Sequence, residues 1–404
     1  MTPIALQHGE VLLPDRSVVD GTVLLTEGRI VYAGPKRKTP RGFSEFDAHG
    51  DYVAPGLIEM HLHGADLIGW QNCTKDRLER LAQTLLRHGI VRFLPTMMAS
   101  EPVLRRMTAL LDRAACRDRI LGLYVEGPFL NPDKRGGVQK RFVRPVDLDY
   151  LAQLQEMAGG RIRLMTFAPE LPGAERLPAA MRRLGITPCV GHSLATASQA
   201  ATVCRTGRFG CTHLFNAMSG LDHHEPGLAA FGLNQSRVVV ELNPDGTHVA
   251  PELLQVAYRA KPADRIVLVS DAAVSAGVRP GLYRYMGRVI RSDRRGAYYA
   301  ADGTLIGGSI LIDRGVFRFT KFTGAPIHQA VRMASLNPAR FLGLGRRIGS
   351  LEPGKQADVA VFSRTFGRVR AVFFNGEQIV GRIAQGSRRR LSDSDEPPSP
   401  AETR

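Results

Sequence analysis

Eight short apolar runs follow one another along the middle of the chain, and helical patterns separate most of them. In the stretch "RLERLAQTLLRHG", for example, Leu78, Leu81 and Leu85 recur at the spacing of one helical face. Strands that alternate with helices favour a parallel sheet covered by helices, and eight such units favour a closed barrel. The predicted strands are 57–63, 91–95, 120–126, 163–168, 187–191, 209–213, 237–242 and 266–270. We therefore predict an α/β fold, a (β/α)8 TIM-like barrel.

Both ends of the chain are rich in short strand patterns, such as "GTVLLTEGRIVYAGP" and "RVRAVFFNGEQIV". Neither end looks able to close a core alone, so we expect one small β-sandwich domain built from residues 1–54 and 346–385. The barrel would then occupy residues 55–345, with a hairpin insertion at "YRYMGRVIRSDRRGAYYAADGTL" after the eighth strand. Residues 386–404 are polar, charged and rich in Pro and Ser, which predicts a disordered tail.

The charge balance and the cysteines narrow the class of protein. The chain has 404 residues and a net charge of +16, but its arginines are dispersed and no basic stretch is interleaved with aromatic residues. We therefore expect no nucleic-acid partner, and an anionic small substrate would explain the charge equally well. The five cysteines form no Cys-x-x-Cys pair, which favours reduced thiols. The chain has neither a run of ~18 apolar residues nor a signal-peptide pattern, so we expect a cytoplasmic protein without membrane contact.

Metal-binding residue types stand where the predicted strands end. His61 and His63 lie one residue apart on the first strand, so their imidazoles share a face. Side chains at the carboxyl ends of barrel strands meet at the catalytic face. Each of these residues alone could be a turn or capping residue, but together they converge from several strands and predict a divalent-metal site. The other members of this set are Glu126, His192, His213, His248 and Asp271.

A series of motifs resembles a known family. In order along the chain they are "APGLIEMHLHG", "EGPFLNP", "GHSLA", "THLFNAMSG", "EPGLAA", "DGTHV", "SDA" and "ADGTLIGGS". Together they resemble the N-acetylglucosamine-6-phosphate deacetylases of the amidohydrolase superfamily, from about residue 50 to residue 345. The resemblance implies hydrolysis of the acetamide of an amino sugar, which releases acetate and the free amine. It also implies a homodimer in which the neighbouring subunit completes the substrate pocket.

The resemblance assigns the metal ligands. Glu126, His192 and His213 would hold the main divalent ion. His61 and His63 match a variant of the family with a second ion bridged by Glu126, whereas other members lack this histidine pair and use one ion. Zinc is the first choice, and iron, manganese and cobalt also suit a site of histidines and carboxylates.

The resemblance also assigns the acid–base residue and the substrate contacts. Asp271 matches the catalytic aspartate, which would take a proton from water and return it to the departing nitrogen. Asn216 and Ala217 match contacts to the sugar phosphate, and His248 matches another sugar-binding position.

Two departures from the family pattern bear on the substrate pocket. The family has an arginine before "EPG" that binds the substrate phosphate across the dimer interface, and this chain has His224 there. Histidine lacks the permanent charge and bidentate geometry of arginine. Gly137 and Val138 stand in place of Ala-His in a Gly-Ala-His motif, and the side chain of Val138 cannot donate a hydrogen bond to the substrate. A second ion that polarises the carbonyl would compensate for Val138.

A nearby arginine would have to compensate for His224 if the substrate carries a phosphate. Arg135, Arg141 and Arg237 are the candidates in the sequence.

These observations leave four functions open. The first is deacetylation of N-acetylglucosamine 6-phosphate to glucosamine 6-phosphate and acetate. The second is the same reaction on a non-phosphorylated or conjugated N-acetylhexosamine. The third is a cyclic-amide hydrolase, although "RIRLMTFAPE" lacks the fourth-strand lysine that bridges two metals in many such enzymes. The last is a barrel that only binds a ligand, although no predicted metal ligand is missing.

Overall fold

The computed structural model describes residues 2–381, and its central element is a curled, eight-stranded parallel sheet. The strands pair in chain order, and all eight predicted strands are present with small shifts at their ends. An isolated parallel bridge between Leu62 and Ala272 joins the first strand to the segment that follows the eighth. The strands, which we call the first to eighth barrel strands, are Leu57–Leu62, Ile90–Met98, Leu123–Glu126, Ile162–Phe167, Thr187–Val190, Phe209–Cys211, Val238–Leu242 and Ile266–Leu268.

Amphipathic helices follow most of these strands. The helix Lys75–Arg87 buries Leu78, Leu81 and Leu85, as its sequence pattern predicts, and the side chain of Thr74 caps its first turn. No helix within residues 2–381 combines the length and the apolarity that a bilayer span requires. The other helices are Glu101–Leu111, Leu148–Met157, Leu177–Arg183, Ala197–Val203, Leu228–Asn234, Pro251–Ala260, Ile312–Thr323, Ile327–Met333 and Leu336–Phe341.

The two ends of the chain meet in a second sheet of eight strands. Tyr52–Pro55 pairs antiparallel with Val359–Phe362, which joins the amino-terminal strands to the carboxyl-terminal ones. This sheet has its own apolar core, to which residues from both ends of the chain contribute. Its division into two packed layers stays a prediction, and the predicted tail 386–404 lies outside the described residues. The other strands of this sheet are Ile4–Leu12, Ser17–Thr26, Arg29–Gly34, Ser44–Asp47, Val369–Phe374 and Glu377–Val380.

The insertion after the eighth barrel strand is larger than the predicted hairpin. It forms a four-stranded antiparallel sheet, because two further strands extend the hairpin. Tyr285, Ile290 and Tyr299 of this sheet pack with Val274, so the insertion has its own small apolar cluster next to the barrel. A two-stranded ladder of Gly64–Ala65 and Ile68–Gly69 follows the first barrel strand. The strands of the insertion are Gly281–Tyr285, Arg288–Ser292, Ala297–Tyr299 and Leu305–Gly307.

Candidate metal centre and active site

The predicted metal and acid–base residues lie together at the carboxyl ends of the barrel strands. Glu126 is the last residue of the third strand, and His192, His213 and Asp271 come shortly after the fifth, sixth and eighth. These last three residues have φ angles of 48°, 28° and 46°, in the left-handed region that non-glycine residues avoid. Such backbone strain is concentrated at functional sites, where the surrounding structure holds it in place.

Glu126, His192 and His213 form a compact buried triad. The Nε2 atoms of His192 and His213 lie 2.8 and 3.0 Å from Oε1 of Glu126. The same two nitrogens are 3.1 Å from each other. Three potential ligand atoms thus converge on one point.

The protonation of this triad fits a bound cation. Nδ1 of His192 lies 2.8 Å from the main-chain oxygen of Lys134, which can only accept, so Nδ1 carries a proton. Nε2 of the neutral imidazole then presents a lone pair to the carboxylate of Glu126 and to the second imidazole. When Nε2 carries no proton, lone pairs at these separations repel one another unless a metal ion lies between them. The donor set of two imidazoles and a carboxylate is one that divalent transition metals accept.

His61, His63 and Asp271 form a second triad beside the first. Nε2 of His63 lies 3.3 Å from Nε2 of His61 and 3.2 Å from Oδ1 of Asp271. Glu126 borders both triads, since its Oε1 faces His192 while its Oε2 is 3.6 Å from Nε2 of His63. One carboxylate is therefore positioned between two groups of potential ligands.

Glu241, which the sequence analysis missed, supports both triads from below. Its Oε2 lies 2.8 Å from Nδ1 of His61 and accepts a hydrogen bond from the main-chain N–H of His213 at 3.2 Å. Burial by itself lowers the pKa of His61, but the negative charges of Glu241 and Asp271 outweigh it and raise that pKa to about 10. A carboxylate behind a histidine orients the ring and increases its basicity as a ligand. The available signal was a charged residue within the apolar run of the seventh strand, "VVVEL".

We expect the substitution Glu241→Gln to weaken metal binding by about 10- to 100-fold, the usual effect of losing such a supporting carboxylate. Glutamine has nearly the same shape but no charge, so the fold should be retained. Competition with a chelator would measure the affinity, and circular dichroism would check the fold. Glu252→Gln, at an exposed position on the helix Pro251–Ala260, is the matched control. Equal chelator resistance of the Glu241→Gln variant and the control would contradict this role.

A hydrogen-bonded pair of residues lies behind Asp271. Oδ2 of Asp271 is 3.4 Å from Nε2 of His248, and Nδ1 of His248 is 2.7 Å from Oδ2 of Asp245. Burial alone lowers the pKa of His248, but Asp245 and Asp271 raise it to about 9. Burial raises the pKa of Asp271, yet its histidine neighbours outweigh this and hold it well below the usual value. Asp271 is therefore ionised.

A cavity of about 260 Å³ opens above these residues. His61 is fully buried beneath it, whereas His63 reaches its surface. His224, one of the predicted substrate contacts, is exposed and lies beside His223, with the ring centroids 4.0 Å apart. It is not among the described residues that line the cavity. The other predicted residues on the lining are Glu126, Gly137, Val138, His192, His213, Asn216, Ala217, His248 and Asp271.

The insertion supplies a wall of the cavity that the sequence analysis did not predict. Tyr285, Tyr299 and Ile306 line it, and the hydroxyl of Tyr299 donates to the main-chain oxygen of Gly137 at 3.0 Å. The glycines of "IGGS" allow this approach, because a Cβ at Gly307 would lie only 2.7 Å from the main-chain oxygen of Asp271. The insertion is thus packed directly against the loops that carry Gly137 and Asp271.

Comparison with known proteins identifies the family. Residues 52–379 match the model of the amidohydrolase family. N-acetylglucosamine-6-phosphate deacetylase of Danio rerio is 32% identical over 370 residues, covering 87% of this chain and 91% of the relative. The chain belongs to the N-acetylglucosamine-6-phosphate deacetylase family of amidohydrolases. A second relative, N-acetylgalactosamine-6-phosphate deacetylase of Escherichia coli O157:H7, is also 32% identical to this chain, and the match covers 79% of this chain and 85% of the relative.

Solved structures of this deacetylase family have the same fold. The enzyme of Mycobacterium smegmatis, as a mutant in complex with N-acetyl-D-glucosamine 6-phosphate, superimposes with a TM-score of 0.87 at 28% identity. The enzyme of Thermotoga maritima gives a TM-score of 0.81 at 27% identity. Each comparison covers 94% of this chain and 100% of the other. The family predicted from the sequence is confirmed, and with it the assignment as a deacetylase of the metal-dependent amidohydrolases.

Proposed function

We propose that this enzyme hydrolyses the N-acetyl group of N-acetylglucosamine 6-phosphate and releases glucosamine 6-phosphate and acetate. The observation that carries this proposal is the pair of triads around Glu126, with Asp271 beside them at the surface of one cavity, in a chain of the deacetylase family. The alternative of a non-phosphorylated substrate is not favoured, because the relatives are named for 6-phosphates.

We propose that Glu126, His192 and His213 hold the main divalent ion, with zinc as the first choice. His61 and His63 would hold a second ion, for which the position of Glu126 between the triads is the support. A divalent ion in such a site supplies Lewis-acid activation of water and of the acetamide carbonyl.

The proton transfers are assigned to Asp271. As the water oxygen bonds to the acetyl carbon, the Asp271 carboxylate accepts one water proton. It then donates that proton to the amide nitrogen as the carbon–nitrogen bond breaks, so that the amine can leave. Nε2 of His248 lies 3.4 Å from Oδ2 of Asp271 and would help to orient the carboxylate.

The remaining substrate contacts rest on the cavity lining. Asn216 and Ala217 would contact the sugar phosphate, and His248 would contact the sugar. Val138 packs against Met98 and Leu130 and offers the substrate an apolar surface only. Carbonyl polarisation would therefore fall to the second metal site rather than to this position.

We further propose a homodimer, in which His224 contacts the substrate of the neighbouring subunit. Its position outside the cavity of its own chain supports this assignment.

A cytoplasmic location is proposed from the five free cysteines, all of them buried in the described structure. For the domains we propose a β-sandwich of residues 1–54 and 346–385 beside a barrel of residues 55–345; residues 1 and 382–385 of this assignment lie outside the described residues.

Acetate release tests the reaction. We expect the metal-loaded enzyme to release acetate from N-acetylglucosamine 6-phosphate faster than from N-acetylglucosamine, to lose activity in a chelator and to regain it with added zinc, because the metal activates the water. N-acetylgalactosamine 6-phosphate belongs in the same assay, since one relative is named for that sugar. Failure of a metal-replete sample to release acetate from all three sugars would overturn the proposed function.

A further inference from the structure

Lys134 is a cation on the wall of the cavity, and the proposed function does not involve its side chain. It is half-buried, and among the residues that the structure describes it is the one lysine or arginine on the cavity lining. Within residues 2–381 its ammonium group makes neither a hydrogen bond nor an ion pair, although acidic Asp133 precedes it. A positive charge in such a position is available to an anionic ligand.

The main chain of Lys134 is hydrogen-bonded to His192, whereas its ammonium group has no partner within residues 2–381. Its carbonyl oxygen accepts the hydrogen bond from Nδ1 of His192 at 2.8 Å. The loop continues to Gly136, where a Cβ would lie 3.4 Å from Cε1 of His192 and 3.5 Å from Cβ of Ala217. The loop therefore runs between a metal-ligand histidine and another residue of the cavity wall, which fixes the base of the Lys134 side chain close to the substrate.

The three arginines that could have replaced the family's phosphate-binding arginine are engaged elsewhere. The guanidinium of Arg135 donates to the main-chain oxygen of Val138 at 2.8 Å, and that of Arg237 donates to the main-chain oxygen of Arg205 at 2.6 Å. The guanidinium of Arg141 lies over the ring of Phe142, 4.9 Å from its centroid. In the described part of the chain none of the three lines the cavity.

One acidic residue of the cavity lining lies outside both triads, so a cation beside it would favour binding of a phosphorylated substrate. The proposed metal ions would balance the charges of Glu126 and Asp271, whereas the carboxylate of Asp133 would repel a phosphate dianion. Of the lining histidines, His63, His192 and His213 belong to the triads, and Nδ1 of His248 contacts Asp245. Lysine is a good partner for phosphate because its flexible four-carbon stem carries three donors on a compact charge.

We propose that Lys134 is a specificity-determining residue that binds the phosphate of the substrate and takes over part of the role of the arginine replaced by His224. This inference rests on the proposed function, since it concerns the 6-phosphate of the same substrate. It assigns the discrimination between phosphorylated and non-phosphorylated sugars to one side chain of the catalytic loop.

Kinetics of Lys134→Ala on two substrates test the proposal. We expect kcat/KM for N-acetylglucosamine 6-phosphate to fall about 10- to 100-fold, mainly through KM, because one charge-assisted hydrogen bond to phosphate is lost. The value for N-acetylglucosamine should stay the same, and so should metal content, because the main-chain oxygen that binds His192 is retained. Lys134→Arg should recover much of the lost preference. Lys140→Ala, at an exposed position of the same segment, is the control.

Three outcomes would overturn the inference. One is an unchanged ratio of the two kcat/KM values in Lys134→Ala, and another is an equal loss on both substrates, which would indicate a structural role. The third concerns a wild-type enzyme that releases acetate from none of the three sugars, so that the proposed function itself has failed. Calorimetric titration with inorganic phosphate then replaces the kinetics, and equal affinity of the wild type and Lys134→Ala would exclude a phosphate site at this residue.

Discussion

The substitution Asp271→Asn is expected to lower kcat by about 10²- to 10⁴-fold, the range that positioned acid–base catalysis contributes. Asparagine keeps the size of the side chain but cannot accept the water proton at neutral pH. The ion at Glu126, His192 and His213 should remain, because Asp271 is not part of that triad. Steady-state kinetics and metal analysis of the same sample would measure both effects.

The control for this experiment is Asp149→Asn, an exposed substitution in the first turn of the helix Leu148–Met157. Its turnover should match that of the wild type. Near-normal turnover of Asp271→Asn with full metal content would remove Asp271 from the proton transfers. Loss of metal from the Glu126 triad would instead show that Asp271 acts mainly on metal binding.

Glu126→Gln is expected to have the second large effect, because Glu126 borders both triads. A neutral amide is a weaker ligand than a carboxylate, and it leaves the two groups of histidines without the charge between them. We expect the metal content to fall at both sites and turnover to decrease on the order of ~10³-fold or more, since metal activation is worth several kcal/mol.

Metal analysis and acetate release would be measured together for this variant. Glu156→Gln, at an exposed position, is the control for the chemical change. Because a buried ligand is being altered, thermal unfolding with and without added zinc is needed to separate loss of metal from loss of fold. Stoichiometric metal combined with normal turnover would exclude Glu126 as a shared ligand.

The parallel sheet was predictable because each buried strand leaves its own local pattern. An apolar run between helical stretches has few alternatives, and all eight runs became barrel strands. The observed strands begin and end a few residues away from the predicted positions, because hydrogen bonding to the neighbouring strands also determines where a strand ends. The insertion was predicted too small for a related reason, since Ala297–Tyr299 and Leu305–Gly307 are too short to form a recognisable pattern and depend on pairing with each other.

Residues of the candidate site were predictable where their chemistry is unusual for their position. Histidine pairs and carboxylates at strand ends stand out in a sequence, and the structure brings His63, Glu126, His192, His213 and Asp271 to one cavity. Glu241 and Asp245 were missed because their roles show only in their contacts with histidines. Glu241 contacts His61, which is far away in the chain, and Asp245 contacts His248 in the turn that follows it. Lys134 was missed because one lysine in a loop of an arginine-rich chain carries no signal of its own.

The sequence by itself determined the order of strands and helices, the residue types at the strand ends and the family to which these motifs point. Those properties depend on local hydrophobic periodicity and on residue identity. Only the tertiary structure decided that His224 lies outside the cavity of its own chain and that Lys134 lines it. Such relations join residues far apart in the chain, and they arise because packing curls the sheet and positions the loops at one end of it.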